Sequence, residues 1–131
     1  MVSDDPEDVL TTYSLGSCIG MTAFDPVAGI GGMMHSMLPL SRENPQKAAE
    51  NPGMYTDSAA QHLLQRMFDR GATRSNLVVK IAGAGSPLNG VSFRIGDRNH
   101  AVIRKILWKN NILIAAEDIG GSRPRTMRLY L

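Results

Sequence analysis

The chain has 131 residues, 43% of them apolar and 20% charged, with a formal net charge of +2. That length and balance describe one domain over residues 1–131 with enough apolar surface for its own core, and exclude a disordered chain. A single cysteine, Cys18, excludes an internal disulfide framework and a thiolate zinc site, and no apolar run approaches the ~18–20 residues of a membrane-spanning helix.

The opening MVSDDPEDVL is acidic and lacks the basic and apolar regions of a signal peptide, so a reducing cytoplasm is the expected location. Leu10–Tyr13 reads as a short extended segment ending in the turn-like Ser14-Leu15-Gly16-Ser17. Ile19–Phe24 is an apolar run stopped by Asp25-Pro26, and Gly29–Leu38 is a second run closed by Pro39. The two are predicted to pair as an antiparallel hairpin around residues 25–29. Residues 39–54 are polar and proline-bearing, and read as a surface loop.

A helix follows. Ser58 and Gln61 have capping-box spacing, and Ala60, Leu63, Leu64, Met67 and Phe68 recur at i, i+3, i+4, i+7 and i+8. Gly71 stands where a helix end takes positive φ. Leu77–Ala82 has the β-branched character of an inner strand, and the glycine loop Gly83-Ala84-Gly85-Ser86-Pro87 leads to a short alternating stretch, Val91–Ile95. Asp97 is positioned to cap a second helix running to about Lys109, with Val102, Ile103, Ile106 and Leu107 on one face and Asn110 and Asn111 at its end. Ile112–Ala116 and Met127–Leu131 complete the strands, the last of edge type. This order predicts an α/β (α+β) layered sandwich: a mixed sheet with two main helices packed on it.

Charge is uneven. Residues 1–69 carry nine acids and three bases, a net of −6, and residues 70–131 carry eleven bases and three acids, a net of +8. The bases are spread singly, and three Phe, three Tyr and one Trp offer few stacking surfaces, so a solvated surface is expected and no nucleic acid. Gly83-Ala84-Gly85 begins a dinucleotide fingerprint, but Leu88 occupies the third glycine position and no P-loop lysine follows; a tight turn is the simpler reading. His35, His62, His100 and Cys18 include no pair at i, i+3 or i, i+4, so neither a metal nor another cofactor is expected.

Cys18 and His35 point elsewhere. A free cysteine is most often a small buried hydrophobe. Here Gly16 and Ser17 precede it where a loop enters a strand, which allows a sharp turn with the sulfur and nearby backbone N–H groups facing one ligand atom. Gly16 and Ser17 are therefore turn and oxyanion candidates. The predicted hairpin brings Cys18 and His35 to its open end, and glycines at 29, 31 and 32 are expected to leave room for a substrate chain. A thiol of pKa ~8.5 is mostly protonated at neutral pH; an adjacent imidazole is expected to take its proton, the resulting ion pair lowering the thiol pKa, and that base needs a third group to orient it. Thr12, six residues before Cys18, supplies a hydroxyl or carbonyl for that role.

The block Leu10-Thr11-Thr12-Tyr13-Ser14-Leu15-Gly16-Ser17-Cys18-Ile19-Gly20 resembles the signature of the CheD family, the chemoreceptor glutamine deamidases of bacterial and archaeal chemotaxis. The resemblance continues through Asp25-Pro26, Ile30-Gly31-Gly32-Met33-Met34-His35, Lys80-Ile81-Ala82-Gly83-Ala84, Ile95-Gly96-Asp97-Arg98-Asn99 and Ala116-Glu117-Asp118-Ile119-Gly120-Gly121. It implies a sandwich related to bacterial toxin deamidases, with Cys18 as nucleophile, His35 as base and Thr12 as the third member. It further implies hydrolysis of receptor glutamines to glutamate, with methyl-ester hydrolysis by the same trio. The expected partners are the cytoplasmic helices of methyl-accepting chemotaxis receptors and, in some systems, a CheC-type phosphatase, without membrane insertion. The alternative is a non-catalytic adaptor that binds receptor or phosphatase.

Overall fold

Asp25-Pro26 breaks the first long apolar run, and the chain returns on itself there. The computed structural model describes residues 1–86 and 94–131. Its first half holds strands β1 (Val2–Ser3), β2 (Val9–Leu15), β3 (Ile19–Asp25) and β4 (Ile30–Ser36), then helices α1 (Pro45–Glu50) and α2 (Thr56–Asp69). Strand β5 (Val78–Gly83), helix α3 (Ile95–Lys109) and strands β6 (Ile114–Ile119) and β7 (Arg125–Tyr130) follow. Five strands form one mixed sheet in the order β1-β4-β3-β5-β6, in which only the β5–β6 pair is parallel, while β2 and β7 pair as a separate antiparallel ribbon.

The period-two alternation of the hairpin explains the layers. Ile19, Met21 and Ala23 pair with Ser36, Met34 and Gly32, and join Leu63, Leu64, Met67, Ile103 and Leu107 of the helices in one core. Fully burying each such large side chain contributes roughly 1.5–3 kcal/mol. The intervening positions turn to the ribbon, where a Cβ on Gly20 would meet Leu15 at 2.8 Å and one on Gly31 would meet Leu129 at 3.0 Å. The result is helices, five-stranded sheet and two-stranded ribbon, a layered α+β fold as the element order predicts.

At the closed end of the hairpin the Asp25 carboxylate, wholly buried, accepts from the backbone N–H groups of Val27, Ala28 and Thr73 at 2.8–2.9 Å. Burial alone pushes this carboxyl up, but those donors, with the Asn76 side chain, outweigh it and hold Asp25 below the ordinary carboxylate range.

Several boundaries differ from expectation. The stretch 39–54 is partly helical, because Asn44 caps α1 by accepting from the Lys47 N–H and Pro45 sits at its first position. Helix α2 begins at Thr56; Ser58 donates to the Pro52 carbonyl at 2.6 Å instead of capping. Asp97 lies inside α3, whose N-cap is Arg94. Ile112 does not open a strand: with Asn111 left-handed, its N–H returns to the Leu107 carbonyl at 2.9 Å and ends α3, so β6 starts two residues later. Of the three glycines expected to leave room, Gly29 at the turn has open space beside it, but Gly31 faces Leu129 and Leu131, and Gly32 faces Leu63 and Met67, so those two leave no empty lane beside β4. Within the Val91–Ile95 stretch, residues 91–93 lie outside the described residues, and Ile95 opens α3.

Candidate active site

Thr12 and His35 meet across two layers. His35 lies on β4 with Gly20 as its β3 partner, hence on the ribbon side of the sheet, and Thr12 lies on β2 of the ribbon opposite Met127. Their side chains join at 2.7 Å, Thr12 Oγ1 to His35 Nδ1. Beyond Thr12 the β2–β7 register shifts and Ser14 takes a left-handed φ of 58°, which turns the chain toward Gly16 and Cys18. The Gly16 N–H donates to the Ser14 carbonyl at 3.0 Å, so that donor is already occupied.

Cys18 stands one residue before β3, two positions from the partner of His35. Its backbone is held from the other side. The Cys18 carbonyl accepts from the Ala84 N–H at 2.7 Å and the Gly16 carbonyl from the Gly85 N–H at 2.8 Å. Gly83 has φ +106°, and a Cβ there would sit 2.3 Å from the Cys18 carbonyl oxygen. The glycine loop expected to be only a tight turn is therefore the brace of the thiol-bearing loop.

A second brace comes from α3. Asn99 Nδ2 donates to the Ser17 carbonyl at 2.9 Å and to the Met37 carbonyl at 3.1 Å, tying the thiol loop to the end of the histidine strand. The Thr56 hydroxyl reaches Asn99 Oδ1 at 3.1 Å, and Ser36 Oγ lies 2.8 Å from Thr56 Oγ1. The sequence reading missed Asn99, Thr56 and Ser36. The available signal was the spacing Asn99–Ile103–Leu107, which puts an amide on the buried face of α3.

Cys18, His35 and Thr12 are all partly exposed residues, so none of the three is a fully buried core residue. Burial pushes the Cys18 thiol up, countered in part by its own backbone N–H, and burial pushes His35 down. Both shifts favour the neutral forms, the opposite direction from the ion pair expected from the sequence. The Thr12–His35 bond is the direct side-chain contact within the trio, with no hydrogen bond between sulfur and imidazole among the described residues. A cavity of about 240 Å³ touches His35 from the α2 side, lined also by His62, Leu63 and Arg66 but not by Cys18 or Thr12. Among the described residues no group of three His, Cys, Asp or Glu side chains is placed to hold a metal ion, and no helix is long and apolar enough to cross a membrane.

Relatives bear on this arrangement. The family model described as "CheD chemotactic sensory transduction" matches residues 37–131. A protein of Solibacter usitatus named "Probable chemoreceptor glutamine deamidase CheD" is 47% identical over 99% of this chain and 78% of its own length. Anaeromyxobacter dehalogenans and Syntrophus aciditrophicus have similarly named proteins, 45% and 43% identical over 99% of this chain and 82% of theirs. With the model match covering well over half of the residues and these relatives spanning nearly all of them, the chain belongs to the CheD family.

Proposed function

We propose that this protein is a chemoreceptor glutamine deamidase in which Cys18 is the nucleophile, His35 the general base and Thr12 the group that orients it. The observation that carries this reading is the 2.7 Å contact between Thr12 Oγ1 and His35 Nδ1 beside the loop of the lone cysteine. When Nδ1 carries its proton toward Thr12, Nε2 presents the lone pair a base requires. The names of the relatives supply the substrate class, a glutamine of a chemoreceptor.

The steps follow from that tautomer. Cys18 sulfur attacks the carboxamide carbon while its proton passes to His35 Nε2. The backbone N–H groups of Ser17 and Cys18 face the developing oxyanion; Gly16 serves only the turn, its N–H being spent on Ser14. The C–N bond then breaks, and His35 delivers its proton to the departing ammonia, leaving a thioester. Water gives a proton to His35 as it attacks the thioester, and the expelled thiolate recovers that proton. The net change is glutamine plus water to glutamate plus ammonia. A receptor methyl ester enters the same sequence with methanol as leaving group. Thr12 is uncharged and stabilises imidazolium less than a carboxylate would, which suits a modest turnover.

The setting is the cytoplasm, where receptor helices present their glutamines, and a CheC-type phosphatase is the second partner of this reading. The decisive experiment is mass spectrometry of a receptor cytoplasmic fragment after incubation with the wild type or with Cys18→Ala. Wild-type conversion of glutamine to glutamate, absent with Cys18→Ala, is the expected result. Equal conversion by both proteins overturns the thiol mechanism, and binding without conversion by either favours the adaptor.

A further inference from the structure

Ser36, Thr56 and Asn99 are each wholly buried, and their hydrogen bonds run in one direction only. The Ser17 and Met37 carbonyls can only accept, so both must receive the amide N–H groups of Asn99. Asn99 Oδ1 then accepts from Thr56, which leaves the Thr56 oxygen to accept from Ser36. Every proton has a destination. A leucine on this face of α3 would continue the stripe of Ile103 and Leu107 at no desolvation cost, whereas a buried amide is tolerated only when fully bonded. What this amide bonds is main chain immediately before Cys18 and two residues after His35.

We infer that Asn99, oriented by Thr56 and Ser36, is a positioning residue that sets the separation of the thiol loop from the end of the histidine strand; this rests on the deamidase reading above. The trio itself lacks a bond between sulfur and imidazole, so their approach is governed by the backbones that carry them. Asn99 is the side chain that joins those two backbones. Its amide is neutral, so it fixes distance without adding a charge that would move the protonation of either group.

The test uses the full chain with ammonia release from a receptor cytoplasmic fragment, rates being normalised to folded protein by circular dichroism at the assay temperature. Asn99→Ala is expected to lower kcat by about 10- to 100-fold with KM within about twofold, since small misplacements of reacting groups act on the chemical step. Thr56→Val, which keeps the shape and loses the hydroxyl, is expected to lower kcat by about threefold to tenfold, and Thr56→Ser to restore it. Wild-type kcat in folded Asn99→Ala, or a loss confined to KM, overturns the inference. If Asn99→Ala does not fold, the contrast of Thr56→Val with Thr56→Ser decides alone, and equal kcat in the two overturns it. If the wild type releases no ammonia, the deamidase reading has failed, and the iodoacetamide rate at Cys18 still tests the clamp. A rate changed by about fivefold or more in Asn99→Ala supports it, and an unchanged rate overturns it.

Discussion

The hairpin Ile19–Ser36 is anchored at both ends by one buried polar side chain, and the anchors differ in charge. At the turn, Asp25 gathers three backbone N–H groups onto a carboxylate. At the mouth, Asn99 does the opposite job with an amide, giving N–H groups to two carbonyls. An ionised anchor makes the stronger bonds, but it brings a fixed negative charge. A carboxylate at the mouth would lift the imidazole pKa and oppose a thiolate; far away at the turn it disturbs neither group. The side chain that anchors the turn is charged, and the one that anchors the mouth is neutral.

The sharpest way to break that contrast is to change each end and ask which property moves. Cys18→Ala is expected to cut ammonia release on the order of a thousandfold or more while the melting temperature stays within a few degrees. A large loss of stability would make the sulfur a structural atom. Asp25→Asn should do the reverse. It places an amide against the three donors, at least one of which then faces an NH2 group, and is expected to cost about 2–4 kcal/mol in urea unfolding with kcat of the folded protein unchanged. Because the folded-state pKa of Asp25 is depressed, its contribution is complete above the unfolded value of about 4 and is lost as pH falls through the folded value. The gap between wild type and Asp25→Asn should therefore be widest near pH 6 and close in acid.

Smaller effects sharpen the picture at the mouth. Thr12→Val removes the partner of Nδ1 and is expected to lower kcat about tenfold, or ~1.4 kcal/mol, with stability nearly unchanged. The pH profile should be smaller still in amplitude but diagnostic in position. His35 must be neutral to accept the thiol proton and burial lowers its pKa, so the acid limb of kcat/KM is expected below about 6.5. Alkylation of Cys18 in the free protein is expected to rise only above the ordinary thiol range of about 8.5. An alkylation midpoint well below that would mean a resting ion pair, and the neutral description of this end would fail.

Local signals carried much of the fold. The hairpin was legible because Asp25-Pro26 interrupts two apolar runs, and α2 because Ala60, Leu63, Leu64 and Met67 keep helical spacing. The pairing of β2 with β7 was not legible: Val9 and Tyr130 are neighbours separated by nearly the whole chain, and neither segment names its partner. Cys18 and His35 are singled out in the sequence by their chemistry, and the fold brings the Thr12 hydroxyl to 2.7 Å from His35 Nδ1. Asn99 stayed hidden because it reaches main-chain atoms 82 and 62 positions away, contacts that no pattern along a single helix encodes. The glycines at 31 and 32 misled in a similar way. Missing side chains signal close approach, but not whether the visitor is a substrate or the protein's own leucines.

The contact of Gly83 with the Cys18 carbonyl is main chain against main chain, and this limits how the protein can change. Two touching side chains can be swapped for another pair of similar volume. Two touching backbones have nothing to trade, so any atom added at position 83 displaces either the end of β5 or the loop bearing the sulfur. A substitution there is registered at the loop of Cys18 before the hydrophobic interior feels it, and the clearance it removes is main-chain clearance that no neighbouring side chain can trade.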